Sequence, residues 1–363
     1  MTLTAFAISE KLDEAAAFRA RIGRALQEFL DSRGTEMMSW SPSLQPAVRA
    51  LQDFLTGGKR LRPAFCYWGW RGAGGDVGES GIITAAAALE LLHAFGLIHD
   101  DIIDASDIRR GQPAVHRRFE KLHGDDGLRG SAENFGIAAA ILLGDLCVAW
   151  CSQMLDECQL PEPGLSAARK VFHLMHTEVL AGQYLDVLEQ SLHTVSLPRA
   201  MTVVRYKTAK YTVERPLQLG GLLAGADEQL LAGYSQFALP IGEAFQLRDD
   251  VLGVFGDIAQ TGKPAGDDLR EGKHTALIAL ACERGSHAQR GDLNRLLGSP
   301  DLTEDGIDLL RSIIIDTGAL DMVERHIDSR VTQARTALAQ VPLADEARGA
   351  LLELAVASSR RSA

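Results

Sequence analysis

Apolar residues recur along this chain at helical rather than strand intervals. Near the N-terminus Leu12, Phe18, Ile22, Leu26 and Phe29 or Leu30 follow a period close to 3.6, which predicts an amphipathic first helix. The same spacing predicts helices over 81–101, 135–155, 166–188, 200–224, 235–252, 275–284 and 303–338, and alternating strand patterns are nearly absent. "SWSPSLQPAV" (39–48) carries two prolines and marks a turn. The breaks at "QLPEPG" (159–164), "SLPRA" (196–200) and the glycine-rich "RGAGGDVGES" (71–80) are short, and none has the composition of a flexible interdomain linker. No fixed-period repeat or low-complexity tract is present. The expectation is one all-α domain over residues 1–363, many helices packed around one core.

Composition refines this picture. The chain has 363 residues, 46% hydrophobic and 23% charged, which excludes general disorder and is enough to bury a large core. Its formal net charge of -11 argues against a broad electrostatic grip on nucleic acid or anionic membrane, so any anionic ligand needs a local site. The five cysteines (66, 147, 151, 158 and 282) form no CxxC pair, which fits a reducing, cytoplasmic compartment. Cys147 and Cys151 share a helix face beside Trp150; without nearby histidines they read as packing rather than zinc ligands. The start "MTLTAFAISEKLDEAA" lacks signal-peptide features, and Glu90 and His93 interrupt the longest apolar run, so no membrane span is expected.

The densest chemistry lies in "HDDIIDASDIRRG" (99–111). Asp100 and Asp104 are four apart and share a helix face, with Asp101 adjacent, at the end of the apolar run "AAAALELLHAFGLI". Like charges repel, and the dipole at a helix C-terminus disfavours anions, so the site calls for cations. Oxygen-only ligands suit a hard divalent ion such as magnesium; a solvated helix end is the alternative. "FQLRDDVLGVFGD" (245–257) delivers a second acid pair, Asp249 and Asp250, far along the chain. If both helices line one cavity, the two sets can clamp metal ions that hold a diphosphate.

Cations fall at informative places. "GGKRLRP" (57–63) offers Lys59, Arg60 and Arg62 beside two glycines at a helix start, where backbone N–H groups also favour anions. Arg109 and Arg110 follow the first acids, "YKTAKY" (206–211) carries Lys207, Thr208 and Lys210, and "TGKPAGDDLREGKHT" adds Lys263 and Lys273. Arginine forks and mobile lysines together suit diphosphate capture. "GDIAQTGKP" (256–264) is not a P-loop, since five residues separate its glycines and Pro264 replaces the required Ser or Thr. "GAGGDVG" lacks a preceding strand for a dinucleotide fold.

"GGKRLRP", "LLHAFGLIHDDIIDASDIRRG", "YKT", "FQLRDDVLGVFGD" and "GKPAGDDLREGK" occur in the order and approximate spacing of the trans-isoprenyl diphosphate synthases, or polyprenyl synthetases, which this chain resembles over about residues 57–273. The resemblance implies an all-α isoprenoid-synthase bundle around a central active-site cavity. It also implies a homodimer, and a magnesium-dependent condensation of isopentenyl diphosphate with an allylic diphosphate, three ions being held with the substrate. Residue by residue, Asp100, Asp104 and Asp249 match metal ligands, supported by Asp101 and Asp250. Arg109, Lys207, Gln246, Lys263 and Lys273 match the allylic-diphosphate side. Gly58, Lys59, Arg62, His93 and Arg110 match the isopentenyl-diphosphate pocket, and Thr208 is placed to steady an allylic cation.

One position departs from the family pattern: Gly253 stands where the second string often has its third acid. Product length is implied by Phe95, five residues before Asp100 and so about 7.5 Å down the helix, which matches the family's pocket floor. Only Ile102 and Ile103 separate the later acids of the first string, without an insertion. That combination resembles short-chain geranylgeranyl (C20) synthases, with farnesyl (C15) the alternative. A class I terpene cyclase would need an Asn/Ser/Glu metal string and has no use for "GGKRLRP". A non-catalytic subunit of a heteromeric synthase would have lost acids or cations that this chain keeps.

Overall fold

The computed structural model describes residues 2–256 and 266–359, with side chains from Glu14 onward. Its contacts divide the chain into two compact units that alternate in sequence, residues 1–67 with 76–165, and residues 68–75 with 166–363. Apart from one two-residue hairpin, the regular structure of the described residues is helical.

The first unit holds α1 (Thr2–Trp40), a 3₁₀ turn (Pro42–Leu44), α2 (Gln45–Phe54), the start of α3 (Leu61–Gly72), α4 (Gly81–Ile103), the hairpin strands β1 (Ile108–Arg109) and β2 (Gln112–Pro113), α5 (Val115–Asp125) and α6 (Ala132–Asp156). The helix α4 is its axis, packed on α1, α5 and α6. Ala85–Leu89, Leu91 and Leu92 are fully buried, and the run of alanines keeps α4 thin enough for neighbours on several sides. Gly144 of α6 lies so near that a Cβ there would stand 2.2 Å from His99 Nε2. From α1 the expected Ile22, Leu26 and Leu30 enter this core, although the helix is longer than the apolar pattern indicates. Cys147 and Cys151 are buried in α6, where burial pushes the Cys151 thiol up to about 12, the behaviour of packed thiols. By length and apolarity alone α4 and α6 could each cross a membrane. Each carries a charge within its run, Glu90 and Asp145, and α4 is a core helix of this unit.

The second unit holds most of α7 (Glu162–Gln190), then α8 (Leu197–Val203), a π-helical segment (Val204–Glu214), α9 (Arg215–Leu223) and α10 (Glu228–Phe255). The short α11 (Asp267–Arg270), α12 (Ala276–Arg284), α13 (His287–Leu296), α14 (Glu304–Asp316), α15 (Ala319–Gln340) and α16 (Asp345–Ser359) complete it. The run 200–224, expected as one helix, is therefore three pieces with a wide turn at its centre. Two glycines allow this: a Cβ on Gly182 of α7 would lie 2.4 Å from Lys207 N, and one on Gly242 of α10 would lie 2.4 Å from Ala209 Cα. The run 303–338 is likewise two helices. It breaks at Gly318, whose φ of 71° suits glycine, and Arg284 Nε braces the break by donating to the Thr317 carbonyl at 2.7 Å. Leu247, Val251 and Val254 of α10 pack in one core with Leu277, Leu280, Ile314 and Val323.

Candidate active site

In the first unit the acids occupy the last turn of α4. Asp104 is its C-cap, Ala105 takes a left-handed φ of 51°, and Ser106 N–H donates to the Asp101 carbonyl at 2.9 Å, a Schellman ending. The chain then turns back through β1 and β2. Arg110 and Gly111 join them with φ of 53° and 73°, the two positive angles of a type I′ turn. This hairpin lays Arg109 on the helix end. Its Nε donates to Asp101 Oδ1 at 2.8 Å, Nη2 donates to the same oxygen, and Nη2 stands 4.0 Å from Asp100 Oδ2. Asp101, 0% exposed, is thus clamped by arginine, while Asp100 and Asp104 are half-buried one turn apart.

Four arginines of this unit, Arg60, Arg62, Arg109 and Arg110, gather around His93 of the same helix, α4. Gly57 and Gly58 have φ of 72° and 94°, and Arg60 has 53°, so the turn before α3 is largely left-handed. A Cβ on Gly58 would lie 3.6 Å from an Arg110 guanidinium nitrogen, which shows how closely the two approach. Lys59 is exposed and Arg62 half-buried in the first turn of α3. Burial, then the charges of Arg62, Arg110, Arg109 and Arg60, hold the His93 imidazole neutral, well below the ordinary histidine range. Arg60 itself is only 5% exposed and donates to Glu90, so it does not sit among the solvent-facing cations that the string "GGKRLRP" suggests. Phe95 is buried, its ring 4.8 Å from that of His99, whose Nε2 lies 3.0 Å from the Ile141 carbonyl oxygen.

In the second unit a relay joins the π-helical segment to α10. Thr208 Oγ1 donates to Gln246 Oε1 at 2.5 Å, and Gln246 Nε2 donates to Asp250 Oδ1 at 2.8 Å. Burial, then Asp268, Asp249 and Asp186, push the Asp250 carboxyl up to about 8 against the opposing Gln246 hydrogen bond. Lys207 Nζ pairs with Asp186 at 2.7 Å. Lys273 Nζ lies 3.5 Å from Asp268 Oδ1 and also pairs with Glu271. Lys210 is engaged elsewhere, with Glu178 at 3.0 Å and Glu214 at 3.2 Å. Lys263 lies outside the described residues.

The donor set of both acid groups is all oxygen, which suits a hard divalent cation, and the raised Asp250 marks negative charge that such an ion would relieve. Among the described residues no three His, Cys, Asp or Glu side chains converge into a cage. That fits magnesium, which takes one or two protein carboxylates and fills its shell with water and substrate phosphate.

A model of the polyprenyl synthetase family matches residues 45–313. The chain belongs to this family. A geranylfarnesyl diphosphate synthase of Aeropyrum pernix is 36% identical over 303 residues, 82% of this chain and 88% of that one. A geranylgeranyl diphosphate synthase of Methanosarcina mazei is 29% identical over 327 residues, 90% of this chain and 91% of its own. The crystal structure of a Corynebacterium glutamicum geranylgeranyl pyrophosphate synthase complexed with isoprenyl diphosphate and magnesium superposes with a TM-score of 0.92 at 39% identity, covering 96% of this chain and 99% of that one.

As a polyprenyl synthetase the chain is a prenyltransferase of the all-α isoprenoid-synthase fold that performs chain elongation. Of its sequence-predicted site residues, Asp100, Asp101, Asp104, Gly58, Arg62, His93, Arg109 and Arg110 lie near one another in the first unit. Lys207, Thr208, Gln246, Asp249, Asp250 and Lys273 cluster in the second. Sequence reasoning missed three acids. Glu90 is the one charge in the apolar stretch Ala85–Leu92 of α4, and Asp186 is one of several acids along α7, with Glu178 and Glu189, neither with a motif to flag it. Asp268 stands inside the string "GDDLREGK", but nothing in that string ties it to position 253 or to Asp250.

Proposed function

We propose that this polyprenyl synthetase is a magnesium-dependent, short-chain enzyme that extends allylic diphosphates with isopentenyl diphosphate, ending at geranylgeranyl diphosphate (C20). The observation that carries the reading is the juxtaposition of oxygen-only acids at the end of α4 with a pocket of arginines around a neutral histidine, beside a left-handed glycine turn. Three magnesium ions with the diphosphate, held by Asp100, Asp104 and Asp249, would stabilise charge on the leaving group. Lys207, Lys263, Arg109, Gln246 and Lys273 hold the allylic diphosphate, with Arg109 oriented by Asp101. Lys59, Arg62, His93 and Arg110 hold isopentenyl diphosphate, and the neutral His93 donates a hydrogen bond without adding charge.

The allylic C–O bond breaks, the homoallylic double bond of isopentenyl diphosphate forms the new C–C bond, and a proton leaves to the departing diphosphate. Thr208 directs its hydroxyl and carbonyl dipoles at the positive charge between these events. Phe95, buried five residues before Asp100, supports the C20 limit. The family match runs through both units, which supports one catalytic domain over the chain with its motif core at 57–273. A homodimer is supported by the exposed Ile141 and Leu142 on the outer face of α6, and a cytoplasmic setting by five free cysteines.

The test is product analysis of purified protein with magnesium, labelled isopentenyl diphosphate, and dimethylallyl, geranyl or farnesyl diphosphate in separate reactions. A C20 product upholds the proposal. A C15 or longer product keeps the chemistry and overturns the Phe95 limit, and no extension by folded protein favours a cyclase or a non-catalytic subunit.

A further inference from the structure

We propose that Arg60 and Glu90 form a positioning pair that holds the Gly57–Arg62 turn in register for isopentenyl diphosphate; this rests on the pocket reading above. The two side chains are each 5% exposed, and Arg60 Nη1 donates to Glu90 Oε2. The other arm of the guanidinium, Nη2, donates to the carbonyl of Leu55, the C-cap residue of α2. One fork therefore ties three things together: the end of α2, the turn, and the centre of α4. Lysine, a single point donor, cannot reproduce that geometry.

The turn needs such a tie. Arg60 is a non-glycine residue at φ 53°, next to Lys59 and two before Arg62, and Gly57 and Gly58 at 72° and 94° add backbone freedom. Without an anchor the chain there has many alternatives, and the directions of Lys59 and Arg62 go with it. Glu90 is the one acid in the apolar stretch Ala85–Leu92 and lies one turn before His93 on α4. A buried ion pair is weak as a source of stability, because apolar residues of similar volume serve as well. Its value here is directional: Glu90 draws Arg60 away from the anion and fixes the backbone that presents Arg62 toward His93. The same carboxylate acts on Arg110 from the opposite side of the pocket's charge balance.

Steady-state kinetics of the magnesium-loaded enzyme separate this role from simple stability. In Arg60→Lys, which keeps the charge opposite Glu90, and in Glu90→Gln, KM for isopentenyl diphosphate is expected to rise about tenfold while kcat and the allylic KM stay within about threefold. The double variant should cost no more than the worse single one, because each breaks the same tie. A role limited to stability would lower the unfolding temperature and leave both KM values unchanged. If Glu90→Gln does not fold, Arg60→Lys decides. An unchanged isopentenyl KM in the folded variants, or an equal rise in both KM values, overturns the pair, provided Arg62→Ala and Arg110→Ala raise the isopentenyl KM. If those two also leave it unchanged, the pocket reading itself falls.

Discussion

The carboxylate of Asp268 occupies the space where a side chain at position 253 would stand: a Cβ on Gly253 would meet Asp268 Oδ2 at 1.9 Å. The glycine that departs from the family's acidic string is thus matched by an acid from α11. Restoring the string with Gly253→Asp should damage the protein, since it drives a second carboxylate into the first. Overpacking of this kind costs about 1–3 kcal/mol, and the like charges add to it. Gly253→Asp combined with Asp268→Gly should recover much of the lost stability. Chemical denaturation of the three variants checks this, and a fully stable Gly253→Asp would refute the packing account.

Arg109→Ala leaves Asp101 buried without its cation. Breaking one partner of a buried pair costs about 3–5 kcal/mol, so the variant should unfold at clearly lower urea, and its activity should fall with the loss of the hairpin's hold on α4. Arg109→Lys should recover only part, because both Nε and Nη2 of the arginine meet Asp101 Oδ1.

The Thr208–Gln246–Asp250 relay makes a sharper distinction. Thr208→Val keeps the shape and removes the donor, so Gln246 loses one partner and its orientation; kcat is expected to fall about tenfold, with Thr208→Ser close to the parent. Equal rates for Val and Ser variants would show that the hydroxyl plays no part.

Phe95→Ala should lengthen the product, read by chromatography of the dephosphorylated alcohols. Removing the ring also opens a cavity beside His99 at a cost of about 3–5 kcal/mol, so the assay belongs at low temperature. An unchanged product distribution would rule out Phe95 as the limit.

His93 gives a pH prediction whose sign follows from its lowered pKa. In the unfolded chain the imidazole takes up a proton below about pH 6.5, whereas in the folded protein burial and four arginines prevent it. The contribution of His93 to stability is therefore full above pH 6.5 and declines as pH falls toward the depressed folded value. His93→Gln should flatten that part of the urea midpoint against pH. The isopentenyl KM of the parent should show no histidine transition between pH 6 and 7.

The helical class, the position of α4 and the acids at its end were legible in the amino-acid pattern, because burial of an apolar face and the period of a helix are local properties. The identity of the family was legible too, through strings such as "HDDIIDASDIRRG" whose chemistry depends on residues a turn apart. Tertiary structure alone decided what those residues do to one another. It turned Arg60 inward to Glu90 and Arg109 onto Asp101, it paired Lys207 with Asp186, and it set Asp268 against Gly253. It also opened a π-helical turn around Thr208 where the periodicity predicts an unbroken helix. The reason is the same throughout: partners of a buried charge are chosen by which elements pack together, and a glycine's neighbour across a helix interface leaves no trace in the local sequence of either helix.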